Sequence, residues 1–385
     1  MNPDYDILII GGGIQGAGCA QAAAAAGYSV VVLEQYDRPG LGTSCKSSKL
    51  IHGGLRYLET AQFRLVYECL QERQLLLHNA PHLVTLEPFY IPVYKHSIRK
   101  PWLIRLGLTL YTLLSGKGFA SIPKHQWDNL DGLKTNDLLA VFKYYDGRTD
   151  DQRLTASVMQ SAQQLGAKFI SCAKFTAAEC KPDLCTTSYQ LNDENQQLSS
   201  RVIINASGPW ANLVLQKVKP QPAIAGMDLV LGTHIIISGV LAQGMYYVEA
   251  PQDQRAVFVM PWHEGIMIGT TEILFDQSPN HVEPPESDIE YLIDVYNHYF
   301  ANTITRKDVT RAFAGLRVLP ADSGSAFTRS REIMIHNDQT NPQVFTVYGG
   351  KLTAYRATGE RTIKLIQKML PKRDKKTDVR SLRLP

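Results

Sequence analysis

"YDILIIGGGIQGAGCAQAAAAAGYSVVVLE", Tyr5 to Glu34, is the stretch whose reading decides the fold. Ile7 to Ile10 form an unbroken apolar run, as expected of a parallel strand covered on both faces. Gly11, Gly13 and Gly16 then occupy the three positions of a G-x-G-x-x-G turn, with Gly12 and Gly18 adding close packing. Such glycines let the backbone approach a pyrophosphate at a helix N-terminus, where free N–H groups and the helix dipole favour negative charge. The alanine-rich helix that follows should stop at Gly27, and Tyr28 to Leu33 read as the next strand. Glu34 ends that strand, placed to accept the ribose hydroxyls of an adenosine and to repel a 2′-phosphate. The unit binds a dinucleotide, and by itself leaves FAD and NAD open.

Further along, "RVIINASGPWAN" reads as a buried strand ending in Ala206, Ser207 and Gly208, small enough for backbone to pass close to a cofactor. "FTVYGGKLTAYRATGERTIKLI" combines a strand, a Gly349–Gly350 turn and an amphipathic helix with Thr353 near its start. A helix N-terminus there would stabilise negative charge on the pyrimidine edge of a flavin, which favours FAD. "SSKLIHGGLRYLE", Ser47 to Glu59, is a second glycine turn, flanked by Lys49, His52 and Arg56.

Together "IIGGGIQGAG", "SSKLIHGGLRYLE", "FRLVYECLQER", "NASGPWAN" and "GGKLTAYR" resemble the FAD-dependent, aerobic-type glycerol-3-phosphate dehydrogenases. These belong to the flavoprotein superfamily that also holds D-amino-acid and glycine oxidases. The likeness runs from about residue 5 to about residue 365. It implies an α/β fold, with a Rossmann-type FAD-binding domain and a second, mostly antiparallel β-sheet substrate domain. The expected division is discontinuous: 1–80, 145–215 and 310–372 for FAD, 81–144 and 216–309 for substrate, and 373–385 as a solvated tail. Proline-rich joints such as "KPQPAIAG" suit crossings between the two.

The resemblance also implies roles. Cofactor contacts are expected from Gly11, Gly13, Ile14 and Gly16, and from Glu34 and Gln35. Thr43, Ser44, Ser47, Ser48, Lys49, Leu50 and His52 should follow along the cofactor. Ala206, Gly208, Gly350, Lys351, Leu352 and Thr353 complete that set. Arg56, Tyr57, Thr271, Arg317 and Lys351 are expected around the substrate, with Arg56 and Lys351 on the flavin side. A phosphate dianion is best held by guanidinium forks with an ammonium as a point charge. His234, Arg317 and Lys351 are the candidates for direct catalysis; His52, His234 and Arg317 come into question as the base, of which a neutral His234 imidazole is preferred, His52 rather fixing its loop or touching the flavin. No metal site is expected. The implied reaction is oxidation of sn-glycerol 3-phosphate to dihydroxyacetone phosphate, with electrons passed to quinone or another acceptor. Oxidation of a 2-hydroxy acid or amine, and a flavin-binding subunit without turnover, are the alternatives.

Two departures stand out. The family has Pro after the Arg of its "G-x-R-P" segment, whereas "AGLRVLP" has Val318 there and Pro320 two residues later. The bacterial dehydrogenases also continue into a C-terminal helical domain of roughly a hundred residues, whereas this sequence stops shortly after the helix following Arg356. Partners and oligomeric state stay open on that ground.

The chain has 385 residues, 44% hydrophobic, with net charge +4, enough for a sizeable core in two intertwined domains. No polybasic and aromatic interleaving suggests nucleic acid. "MNPDYDILII" has acids before its apolar run and reads as a strand, not a signal peptide. The longest later apolar run, Trp102 to Leu114, carries Arg105 and falls short of the ~20 residues a spanning helix needs. With Arg99, Lys100 and Lys117 around it, that segment could lie on an anionic membrane surface or pack as a buried helix. The expectation is a cytoplasmic protein, open to peripheral contact with the inner face of the cytoplasmic membrane. Six cysteines without a C-x-x-C pair point to reduced thiols.

Overall fold

The computed structural model describes residues 3–59, 61–321 and 333–385. Nine strands among these form one sheet. They are β1 (Tyr5–Ile10), β2 (Val30–Leu33), β7 (Lys168–Ile170), β8 (Ala173–Lys181), β9 (Leu184–Leu191), β10 (Glu194–Asn205), β11 (Val218–Lys219), β18 (Met334–Asp338) and β19 (Asn341–Tyr348). Its parallel centre runs β7–β2–β1–β10–β19, the doubly wound arrangement that the apolar runs demand. The first half of β10 continues into an antiparallel hairpin pair with β9 and β8.

Ten strands form the second sheet. These are β3 (Leu50–Ile51), β4 (Val84–Tyr94), β5 (Ala120–Ser121), β6 (Leu138–Thr149), β12 (Met227–Ser238), β13 (Met245–Glu249), β14 (Ala256–Trp262), β15 (Gly265–Gly269), β16 (Ile273–Phe275) and β17 (Val309–Pro320). Every pairing but β13 with β4 is antiparallel. The boundaries expected near 145 and 310 therefore move. They cut through β6 and displace β17, which pairs with β12 along nearly its whole length.

Seven α-helices are described: α1 (Ile14–Ala25), α2 (Phe63–Asn79), α3 (Pro101–Ser115), α4 (Asp151–Gln164), α5 (Ala211–Leu215), α6 (Glu286–Tyr299) and α7 (Tyr355–Ile366). Every residue of α1 is buried, because α4 and α7 cover the side turned away from the sheet. Alanine and glycine make that possible. A Cβ on Gly18 would lie 2.7 Å from the Tyr355 carbonyl oxygen, and one on Gly359 would lie 2.4 Å from the Gly18 oxygen. Asp150 caps α4, its carboxylate accepting from the amides of Gln152 and Arg153.

Two sequence expectations are corrected. Residues 373–385 are not a solvated tail: Val379 and Leu384 are buried and Arg373 pairs with Asp6 at 3.1 Å. The amide of Lys376 donates to Ala25 and that of Leu384 to Asn79, so backbone hydrogen bonds tie the segment to the ends of α1 and α2. Nor are all thiols reduced, since Cys180 and Cys185, directly opposite on β8 and β9, are disulfide-bonded.

Candidate active site

A cavity of about 590 Å³ runs between the two sheets, within the usual range for a cofactor or ligand site. It begins where β1 turns into α1. Gly11 adopts φ +102°, and a Cβ there would meet the Ala206 carbonyl oxygen at 2.7 Å. The turns after β1 and β10 thus press backbone against backbone, and Gly11, Gly13, Ile14, Ala206 and Gly208 all line the cavity. Gly16 faces away from it. A Cβ there would lie 1.9 Å from the Gly11 oxygen, so its role is to let helix and turn approach. The Ser44 hydroxyl accepts from the Ile14 amide at 2.9 Å and occupies one free donor of the helix start.

Glu34 lies at the far end of the same wall. Its carboxylate accepts from the Gly12 amide at 2.6 Å and the Tyr36 amide at 3.0 Å. Burial raises its pKa, partly offset by these amide donors. Gln35, Thr43, Ser47, Ser48, Leu50 and His52 also line the cavity.

Lys49 does not. Its ammonium turns away to Asp151 at 2.7 Å and to the Cys45 carbonyl, leaving the side chain 4% exposed. Lys49 has φ +60°, so the chain turns at this residue and carries its side chain away from the cavity that Ser47, Ser48 and Leu50 line.

Beyond Leu50 the second glycine turn folds under Tyr57. Gly54 has φ +79°, and a Cβ there would sit 2.2 Å from the Tyr57 ring. The ring carries two cations: Lys351 Nζ lies 4.0 Å from its centroid and the Arg56 guanidinium carbon 5.2 Å. Lys351 reaches this point from its own Gly-Gly turn, where Gly349 and Gly350 both have positive φ. A Cβ on Gly350 would meet Gln15 Nε2 at 2.7 Å, and that amide donates to the Lys351 carbonyl at 3.2 Å. Gly350, Lys351, Leu352 and Thr353 line the cavity, as do Arg56 and Tyr57.

Arg317 enters from β17. Its guanidinium is paired with Glu272 at 2.7 Å and fits over Gly232, where a Cβ would come within 3.2 Å of Nη2. Two other expected site residues are withdrawn from the cavity. Thr271 bonds Asp288 and the Thr233 amide, and Thr270 takes its place on the wall. His234 is 1% exposed beneath that wall, with Nε2 2.9 Å from Ser48 Oγ and its ring stacked on Phe313. Burial first, then Arg317 and Lys49, hold its pKa well below the ordinary imidazole value.

Sequence reasoning missed Glu272, Tyr36, Trp210 and Asn280. Glu272 meets Arg317 only because β16 and β17 flank β12 on the same stretch, a register no local pattern reveals. Trp210 donates to Asn280 at 2.7 Å at the Glu34 end of the cavity and packs edge-on against Tyr36. Its position in "NASGPWAN", just past the small residues, was the available signal.

The residues present fit FAD. The glycine cradle, the Glu34 carboxylate and the buried, unpartnered Gln15 Oε1 all face one elongated cavity. Among the described residues no group of three or more His, Cys, Asp or Glu converges as a metal site.

A doubly wound dinucleotide layer roofed by an antiparallel sheet, with cations where the two meet, defines a flavin-dependent oxidoreductase. The FAD dependent oxidoreductase (DAO) family profile matches residues 6–363, and the chain belongs to that family. FAD is its cofactor. The aerobic glycerol-3-phosphate dehydrogenase of Escherichia coli (strain K12) is 37% identical over 371 residues, covering 93% of this chain and 72% of that protein. The D-erythritol 1-phosphate dehydrogenase of Brucella abortus (strain 2308) is 34% identical over 384 residues, covering 95% and 74%. Among solved structures, the glycerol-3-phosphate dehydrogenase from Bacillus halodurans complexed with FAD aligns with a TM-score of 0.76 at 25% identity, covering 99% of this chain and 67% of that one. The L-alpha-glycerophosphate oxidase from Mycoplasma pneumoniae, with FAD bound, aligns with a TM-score of 0.78 at 16% identity over 98% of each chain, a likeness of fold.

Proposed function

We propose that this chain oxidises sn-glycerol 3-phosphate to dihydroxyacetone phosphate. The observation that carries this reading is the lining of one cavity by Arg56, Lys351 and Arg317 next to the cofactor's glycine turns. A carboxylate substrate needs one guanidinium fork, whereas a phosphate dianion uses several cations. Bound FAD supplies the two-electron acceptor for the carbon-bound hydrogen. The protein's own residues supply the rest. Arg56 and Lys351, both over the Tyr57 ring, hold the phosphate, and Arg317, braced by Glu272, fixes the other end of the substrate. Water exclusion falls to the roof formed by Phe89, Tyr144, Tyr247 and Phe258.

Quinone as acceptor and peripheral contact with the inner face of the cytoplasmic membrane belong to the same reading. Support comes from α3, which exposes Trp102, Leu106 and Leu113 beside Lys100, Arg105 and Lys117. Arg99 is not part of this surface, because Glu59 and Glu249 hold its guanidinium. No described helix is long and apolar enough to cross a membrane.

The test is to purify the yellow protein and add glycerol 3-phosphate without oxygen. The flavin band at about 450 nm should bleach within seconds, as turnover near 1–10³ s⁻¹ requires. Bleaching by a 2-hydroxy acid and not by any polyol phosphate would overturn the proposal. D-erythritol 1-phosphate belongs in the same assay, given the Brucella relative.

A further inference from the structure

The cavity wall that follows β3 is held by little backbone pairing. β3 is two residues long, and its ladder with β6 ends where Ile51 faces Gly147. The chain then makes the second glycine turn, with His52 before it and Arg56 after it both lining the cavity. Side chains from three other elements hold that turn. The Gly53 amide donates to the Tyr111 hydroxyl of α3 at 3.0 Å, and that hydroxyl donates to Asp146 of β6 at 2.7 Å. Arg73 of α2 donates to the other Asp146 oxygen at 2.6 Å. All three side chains are 2% exposed or less.

We propose that Tyr111, oriented by the buried Arg73–Asp146 pair, is a positioning residue that sets the second glycine turn against the substrate phosphate, an inference that rests on the glycerol 3-phosphate reading above. A phenol has one proton. Because the Gly53 amide donates to this oxygen, the phenol proton points at Asp146, which calls for an ionised carboxylate there. Burial works against that charge, and Arg73 is the main group opposing burial.

The fit is close on the turn's side as well. A Cβ on Gly53 would lie 2.5 Å from Leu70 of α2 and 2.6 Å from the Tyr111 oxygen, so the turn has one seat. From that seat Leu55 to Leu58 form a 3₁₀ turn that places the Tyr57 ring where Arg56 and Lys351 both meet it. The buried pair serves the phosphate in a second way. Asp146 lines the cavity, where a bare carboxylate would repel a dianion, and Arg73 and Tyr111 occupy its two oxygens.

Tyr111→Phe tests this with the packing of the ring kept, and leaves the Gly53 amide buried without its acceptor. At equal FAD occupancy, half-saturation with glycerol 3-phosphate in anaerobic flavin bleaching should rise about tenfold, the scale of one buried donor left unpaired. The dissociation constant of dihydroxyacetone phosphate from the oxidised holoenzyme, read from the flavin spectrum, should rise by the same factor. FAD affinity should not move with it. Arg56→Gln/Tyr111→Phe should bind dihydroxyacetone phosphate little worse than Arg56→Gln alone, because Tyr111 acts through the turn. Unchanged half-saturation, a parallel loss of FAD affinity, or losses that multiply in the double variant would overturn the positioning role. A second arm needs no substrate: backbone amides of residues 53–58 should exchange faster in Tyr111→Phe holoenzyme, and those of the turn after β1 at the wild-type rate. Equal exchange at 53–58 would refute the positioning even where wild type bleaches. Absence of bleaching in wild type, with the exchange difference present, would instead refute the substrate assignment.

Discussion

At the scale of single residues, the buried charges divide into those that serve the cavity and those that hold its walls. Lys49 and Asp151 are the second kind, with side chains 4% and 1% exposed and Ser47 bonded to the same carboxylate. Replacing Lys49 by Met leaves Asp151 buried without its counter-charge, which should destabilise the fold by roughly 3 kcal/mol. Lys49→Met/Asp151→Asn should regain most of that in denaturant titrations, and a single variant as stable as wild type would contradict the wall role. His234 gives a pH-dependent counterpart. Its folded pKa lies well below the ordinary 6.5, so below that pH the unfolded chain binds a proton that the native state refuses. The contribution is whole above about pH 6.5 and is lost as pH falls toward the folded value. Urea midpoints measured from pH 7.5 down to 5.5 should therefore drop less steeply for His234→Gln than for wild type, and parallel curves would show that the ring titrates normally.

Elements carry a different kind of information. α1 and α7 were legible because the spacing and glycine turns that mark them are local. β17 was misassigned because its partner β12 lies some eighty residues earlier, and nothing in "VTRAFAGLRVLP" announces which sheet it joins. α3 was open between burial and surface, and it does both. Leu108 and Tyr111 are buried, Tyr111 accepting from the Gly53 amide at 3.0 Å, while Trp102, Leu106 and Leu113 face outward. Trp102→Ser with Leu106→Ser should move protein from the membrane to the soluble fraction and leave the thermal midpoint within about 1 °C, since exposed substitutions are usually neutral for folding. Undiminished pelleting with vesicles containing anionic lipid would remove α3 from the membrane reading.

The whole molecule is two sheets with a cofactor cavity between them, and this arrangement decides how cofactor and stability are linked. Cavity-lining positions were readable in the sequence wherever glycine turns mark them, as at Gly11, Gly54 and Gly350. Positions set by sheet stacking were not, which is why Thr271 turns away from the cavity and Glu272 went unseen. One cavity wall comes from β1, β10 and the turn after β19, the other from β12 and β17, so a ligand filling it touches both sheets. FAD bound to the folded state alone should stabilise it by about 2.7 kcal/mol at a hundredfold excess over Kd, a rise of roughly 3 °C in thermal midpoint. Amide exchange should slow on both sides, at the turns after β1 and β19 and along β17, when stripped protein is reloaded. Protection gained only in the dinucleotide layer would mean that the second sheet closes over the flavin by itself, and the cavity would then be a property of one layer.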